Sequence, residues 1–264
     1  MGVKTLISLD ELNKIFPSFN FIKITPTYSG IIDTTYIVYT LDKSYILKKY
    51  ERDIQTKIDQ DIALLSELKS VGLNVPICLE ENQSWYLYER LKGYQPRNVR
   101  SYHIQAIARF LAKLHKQTSK KNCESNIIVE KEVTHALRYT KHNFYRYYKK
   151  FEFLKKFTLQ NDALIHGDIF KDNTVFEGTK IGVFDFIDSS CGTFAFDVAV
   201  ALVGFDARSH NNYFINLFLN AYNQHAPKKL HKKTILKKMK IASHFYALKR
   251  VKKYKNTLRA KELL

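Results

Sequence analysis

Between Leu164 and Ala199 the chain reads LIHGDIFKDNTVFEGTKIGVFDFIDSSCGTFAFDVA. Asp168 and Asn173 lie five residues apart in a loop that follows a short apolar run, and Asp185 lies twelve residues further on in a second run, Val183-Phe184-Asp185-Phe186. The residues between read as strand, turn and strand. A hairpin of that length brings the residue before its first strand close to the residue after its second, so Asn173 and Asp185 could hold one cation together. Magnesium suits such a pair, because it takes oxygen ligands, keeps several waters and needs only one or two protein groups beside substrate phosphates. Asp168 is then left to accept a hydroxyl proton. Metal on the phosphates and a carboxylate on the nucleophile is the division of labour of phosphoryl transfer. Any one of these residues alone would be an ordinary turn former; the combination is far harder to reach by chance.

The string His166-Gly167-Asp168 to Asn173, followed by Asp185-Phe186, resembles the aminoglycoside phosphotransferase and choline kinase superfamily, which has a protein-kinase-like fold. Phe170, Asp172-Asn173, Phe176, Cys191, Phe196-Asp197 and Ala199 make it most similar to the homoserine kinase branch. The resemblance implies ATP and Mg2+ as cofactors, Asp168 as the base or the group that orients the acceptor hydroxyl, and Asn173 and Asp185 as metal ligands. It also implies that His166 supports the loop and that Asp197 ties it to the following helix. Asp188 either faces the metal or acceptor or is a solvated turn acid. Lys171 is either a charge that meets the transferred phosphate or one of many surface lysines.

Such a kinase needs a phosphate-covering loop and a lysine in its first lobe. The stretch Tyr28 to Tyr36 has a single glycine, Gly30, and resembles the sparse loop of the homoserine kinase branch; Ser29 and Thr34 could donate to phosphate. Lys48, at the end of an apolar strand, resembles the lysine that pairs with the α- and β-phosphates. Lys49 is the alternative, and strand alternation sends the two to opposite faces. In the next helix Ile54, Ile58, Leu65 and Leu68 form the apolar stripe, and Asp61, rather than Asp59, falls in its middle. An acid on a buried face needs a partner, and Lys48 is the expected one. Trp85 to Gly93 reads as a strand entering a connector, where the resemblance places backbone contacts to adenine at Glu89, Arg90 and Leu91.

Around these groups the patterning is that of an α+β chain. Ser8 and Glu11 form a capping box that predicts a helix from about residue 9. Thr34–Thr40 and Tyr45–Tyr50 alternate across Asp42-Lys43 as a hairpin. The helix over residues 54–68 ends at Gly72. From Tyr102 the pattern turns helical, and a single aromatic and basic helix is expected from Glu132 to Phe157. The expected architecture is bilobal and protein-kinase-like: residues 1–91 as a small β-sheet lobe that binds nucleotide, and residues 92–264 as a larger helical lobe with the catalytic loop and acceptor pocket.

Composition narrows the classes. Lys and Arg number 43 against 25 Asp and Glu, a net charge of +18. Fourteen of those basic residues and a single acid, Glu262, lie beyond Ala226. Ile235, Met239, Ala242, Tyr246 and Val251 recur there at helical spacing, so the segment reads as a helix packed on one side and solvated on the other. Nucleic acid is therefore not the expected partner, although a nucleic-acid-binding protein or pseudokinase on this scaffold is the reading from another class. No apolar run approaches the ~20 residues of a membrane helix. The three cysteines are scattered, which points to a reduced, cytoplasmic setting. A serine/threonine protein kinase is disfavoured by His-Gly-Asp in place of His-Arg-Asp and by the absence of an Ala-Pro-Glu segment. The expected substrate is a small-molecule hydroxyl compound, homoserine first, then choline, ethanolamine, an amino sugar or an aminoglycoside. Basic residues of the larger lobe favour a carboxylate-bearing acceptor; Arg138, Tyr139 and Tyr145 are candidates to hold it.

Overall fold

The computed structural model describes residues 3–27, 32–119, 127–157, 162–205 and 212–264. The chain forms two compact units, Met1–Tyr94 with Gly182–Ile187, and Gln95–Ile181 with Asp188–Leu264.

The first unit opens with helix α1 (Leu9–Ile15), whose capping box has both reciprocal Ser8–Glu11 bonds. Five antiparallel strands follow: β1 (Lys23–Pro26), β2 (Thr34–Tyr39), β3 (Ser44–Lys49), β4 (Cys78–Asn82) and β5 (Trp85–Glu89). They are ordered β1-β2-β3-β5-β4. Alternation in β2 buries Tyr36 and Val38, which join Leu47, Trp85, Leu87 and α1 residues Leu12 and Ile15 in one core. Helix α2 (Gln55–Ser70) lies between β3 and β4 in sequence and buries Ile58, Asp61, Leu65 and Leu68 of the face read from the sequence together with Leu64, while Ile54 precedes the helix as its N-cap.

The second unit contains α3 (Ser101–Thr118), α4 (Ile127–Asn143), α5 (Tyr145–Phe151) and a 3-10 turn (Glu152–Lys156). Strand β6 (Ala163–Ile165) precedes the loop with the His-Gly-Asp motif, and a 3-10 turn (Lys171–Asn173) closes that loop. The hairpin strands β7 (Thr174–Glu177) and β8 (Lys180–Val183) pair with each other, and β9 (Ser190–Gly192) pairs with β6. Then come α6 (Phe194–Gly204), α7 (Asn212–Asn223), α8 (Lys232–Tyr254) and α9 (Leu258–Lys261). Helix α3 packs on α7, and α8 packs on α4 and α6. Helix α6 is apolar and buried nearly all round, which marks it as the centre of this unit.

Two expectations change. The helix over 132–157 is broken at Phe144, whose backbone is at φ −143°, ψ 58°. Asn143 turns its side-chain amide back to donate to the Tyr139 carbonyl at 2.9 Å, the local competition by which Asn ends helices. Cys191 is disulfide-bonded, so the fully reduced state does not hold there, while Cys78 is a free thiol that burial pushes up to about 11.

The β4–β5 turn is made by Gln83 and Ser84, both at positive φ (50° and 64°). This is the conformation that Asn-Gly adopts without strain. Replacing the pair with Asn-Gly is expected to stabilise the protein by about 1 kcal/mol, read as a higher urea midpoint at unchanged slope; an unchanged or lower midpoint counts against the assignment.

Candidate active site

In the first unit, the alternation of β3 separates its two terminal lysines. The Lys49 ammonium lies over the Trp85 ring, 5.3 Å from its centroid. Lys48 reaches Asp185 on the segment after β8, with Nζ 2.9 Å from Oδ1. Asp185 has φ 69°, a left-handed backbone uncommon for a residue with a side chain, and it aims the carboxylate at Lys48. The preceding Val183 N–H donates to the Asn74 carbonyl at 3.0 Å, tethering this segment within the unit. Burial favours neutral Lys48, but the Asp185 charge and hydrogen bond outweigh it, so the ammonium is held above its ordinary range. Where Asp61 is the expected partner, the ion pair is therefore made with Asp185. Asp61 is buried on α2, and its charge adds to the burial that keeps Tyr50 and Tyr88 protonated. Those two hydroxyls meet at 3.1 Å, and the Lys48 ammonium sits 5.0 Å from the Tyr50 ring centroid.

Thr34 is not available to phosphate. It is fully buried at the start of β2, its hydroxyl donates to Glu51, and the main-chain N–H groups of Lys4 and Thr5 donate to it at 2.8 and 3.0 Å. Gly30 and Ser29 lie outside the described residues. In the connector, the Glu89 N–H is committed to the Ile77 carbonyl at 2.9 Å and its carboxylate to Lys69 at 2.7 Å. The Arg90 guanidinium donates to Ser44 at 3.1 Å.

In the second unit the loop after β6 is organised by Asp197 of α6, a carboxylate with no solvent exposure. The N–H groups of His166 and Gly167 donate to it at 3.1 and 2.8 Å, and His115 Nε2 of α3 lies at 3.0 Å. His115 Nδ1 in turn meets the Tyr222 hydroxyl of α7 at 2.7 Å. Burial alone would raise the Asp197 pKa; His115 and the loop donors reverse that and hold it below its usual range. His166 accepts the Asp168 N–H on Nδ1 at 3.2 Å. Gly167 has φ 75°, a left-handed conformation that sets the direction of its own carbonyl and of the chain running into Asp168. Beneath the loop, Gly204 closes α6 so tightly that a Cβ there would meet the Ile169 carbonyl oxygen at 2.7 Å.

Asn173 and Asp168 are brought together. The Asn173 side-chain N–H group donates to the Asp168 carbonyl at 2.9 Å and to its carboxylate Oδ2 at 3.2 Å. That orientation turns the Asn173 amide oxygen away from Asp168, as a hard-cation ligand requires, and Asp185 supplies a half-exposed carboxylate in the first unit. Both are oxygen donors, so the donor chemistry fits magnesium. Among the described residues no cluster of three His, Cys, Asp or Glu suggests another metal.

Asp188 is exposed and Lys171 half-buried. Arg138 is exposed on α4; Tyr139 packs against Phe144 at 6.2 Å; Tyr145 is exposed and stacks on Tyr148 at 6.1 Å. Their surroundings do not tie these three to the loop. Sequence reading missed His115, which carries no motif, and Tyr246 of α8, visible only as a member of an apolar stripe. The Tyr246 hydroxyl donates to the Gly167 carbonyl, and its ring meets Phe170 edge-on at 4.8 Å.

The model of a phosphotransferase enzyme family, APH, matches residues 23–227. The chain is 23% identical over 254 residues to a homoserine kinase of Nitrobacter hamburgensis, covering 85% of this chain and 78% of that protein. Its fold is similar to the macrolide 2'-phosphotransferase MphH from Brachybacterium faecium (TM-score 0.68, 15% identity, 97% and 96% of the two chains). It is also similar to the amicoumacin kinase hAmiN, in complex with AMP-PNP, Ca2+ and Ami (TM-score 0.71, 16% identity, 95% and 88%).

Two substitutions test the loop's supports. Asp197→Ala strands three buried donors, each worth about 1–3 kcal/mol, and is expected to destabilise the protein by more than about 3 kcal/mol. Because the Asp197 pKa is depressed on folding, its stabilisation is complete above the unfolded value of 3.8 and is lost as pH falls through the folded one. The stability gap between wild type and Asp197→Asn should thus be flat near neutrality and narrow only below about pH 4, in urea titrations at several pH values. Gly204→Ala sets a helix-propensity gain of about 1 kcal/mol against overpacking of about 1–3 kcal/mol. With rigid backbone as the obstacle, a net loss of stability is expected; a gain would mean that the loop yields freely.

Proposed function

The chain belongs to the phosphotransferase enzyme family, and from that we propose that it transfers the γ-phosphoryl group of ATP to a hydroxyl of a small molecule, L-homoserine first, giving O-phosphohomoserine and ADP. The observation that carries this reading is the Asn173 amide fixed on Asp168, with its oxygen turned outward. It separates a base from a cation ligand within one short loop.

In this reading Asp168 accepts the proton of the acceptor hydroxyl while that oxygen bonds to the γ-phosphorus and the bond to the β-γ bridging oxygen breaks. His166 and Asp197 hold the backbone that carries Asp168. Asn173 and Asp185 hold magnesium, which when bound neutralises charge on the phosphates. Lys48 serves the α- and β-phosphates, exchanging its carboxylate partner for phosphate oxygens. Backbone groups of the connector Glu89, Arg90 and Leu91 take the adenine edge, and Ser29 and Gly30 belong to the segment proposed to meet the phosphates. The first lobe, residues 1–91, carries the nucleotide and residues 92–264 the acceptor.

Support for a nucleotide and a divalent cation comes from the AMP-PNP and Ca2+ in the complex of the similar amicoumacin kinase. Support for homoserine comes from the names of the similar curated proteins, and from the basic character of the chain, which favours a carboxylate-bearing acceptor over a cationic one. No helix among the described residues is long and apolar enough to cross a membrane, and the proposed setting is the cytoplasm.

The test is magnesium-dependent ADP release with L-homoserine, L-threonine, L-serine, choline, ethanolamine and an aminoglycoside as acceptors. Homoserine-specific turnover is expected, reduced about 10²–10⁴-fold in Asp168→Ala with ATP binding retained. Turnover with another acceptor would keep the kinase and discard homoserine. No turnover and no ATP binding would sink the kinase reading.

A further inference from the structure

We propose that Tyr246 of α8 is a positioning residue for Asp168, acting on the Gly167 carbonyl and on the Asp168 side chain itself. This rests on the reading of Asp168 as the base. The Gly167 residue is gripped at both of its backbone polar groups. Its N–H donates to Asp197 of α6 at 2.8 Å, and its carbonyl accepts from the Tyr246 hydroxyl. Asp168 is the next residue: the Gly167 carbonyl shares a peptide plane with the Asp168 N–H, which donates to His166 Nδ1 at 3.2 Å, so Tyr246 and His166 hold that plane at both of its polar groups.

Packing alone does not explain the hydroxyl. Tyr246 is buried, and its ring already has edge-on partners in Phe170 at 4.8 Å and Phe245 at 5.1 Å, with Lys249 5.7 Å from its centroid. A phenylalanine would make the same ring contacts. The hydroxyl adds a polar atom to an apolar wall, and a buried hydroxyl is costly without a partner. Burial first, then the charges of Asp168 and Asp197, a hydrogen bond with the Asp168 side chain and the charge of Asp188, keep it protonated. It is therefore a permanent donor beside the loop. A base displaced by a fraction of an ångström loses much of its effect, because rate depends on the reacting atoms being held in line.

The experiment compares wild type with Tyr246→Phe, which keeps the ring, and with Phe245→Leu, which trims the neighbouring ring that contacts Phe157 and Phe196. Amide exchange over residues 165–170 is followed with and without ATP, together with steady-state kinetics and melting temperature. Tyr246→Phe is expected to speed exchange at Gly167 and Asp168 about tenfold. It should lower kcat about 10–100-fold at near-constant KM for ATP and near-constant melting temperature. Phe245→Leu should lower the melting temperature while leaving kcat within about threefold of wild type. Unchanged loop exchange and unchanged kcat in Tyr246→Phe overturn the proposal, as does a kcat loss matched by Phe245→Leu at equal destabilisation. Should wild type itself turn over no acceptor, the kinase reading fails, and the exchange data alone still decide whether Tyr246 holds the loop.

Discussion

A buried carboxylate cannot remain charged unless donors surround it, and Asp197 meets that condition through three N–H donors from two different parts of the chain. The rest of the second unit's site depends on this. Helix α6 brings the carboxylate, α3 brings His115, and the loop after β6 must offer both amides for the set to close. Failure of any one leaves an ion in an apolar interior. The loop is thus specified by the cost of its alternatives as much as by its own contacts. The apolar surroundings of α6 are what make that cost high.

The first unit uses charge differently. Lys48 and Asp185 are 18% and 41% exposed, so their pair stands nearer to water than Asp197 does, while the Asp185 charge still holds the Lys48 ammonium above its ordinary range. Around them stand a five-stranded sheet, a buried Tyr50–Tyr88 hydroxyl pair, and Asp33 bound to Arg52 at 2.9 Å and to the Glu51 N–H. Asp185 reaches this position only by taking a left-handed backbone, and the short tether from Val183 to Asn74 holds the segment in which that conformation occurs.

What was legible in the sequence was local or periodic. Ser8 and Glu11 lie three apart, and their capping box formed. The α2 stripe correctly placed Asp61 on a buried face, because helical geometry alone sets which side chains share a side. Asp168 and Asn173 lie close enough in sequence for one loop to bring them together. What was missed depends on long-range partners. Thr34 has the right chemistry for a phosphate donor, but Glu51, a distant neighbour in sequence, takes its proton. The Lys48 partner lies 137 residues away, and Tyr246 meets Gly167 across 79. Nothing in the spacing of a strand lysine or a helical tyrosine encodes such distances. The break at Phe144 was hidden for another reason: aromatic and basic residues run continuously through it, and only Asn143 marks the interruption.

The two glycines that frame the loop constrain the sequence in different currencies. At Gly167 a Cβ would meet nothing within 4 Å, and the objection is the positive φ. Asn or Asp visits that region at modest cost, so a lineage drifting under this fold keeps a second choice there. At Gly204 the backbone is ordinary and the objection is the Ile169 carbonyl itself. No other amino acid lacks a Cβ, so that position has no neighbour in sequence space to drift to unless the loop drifts with it.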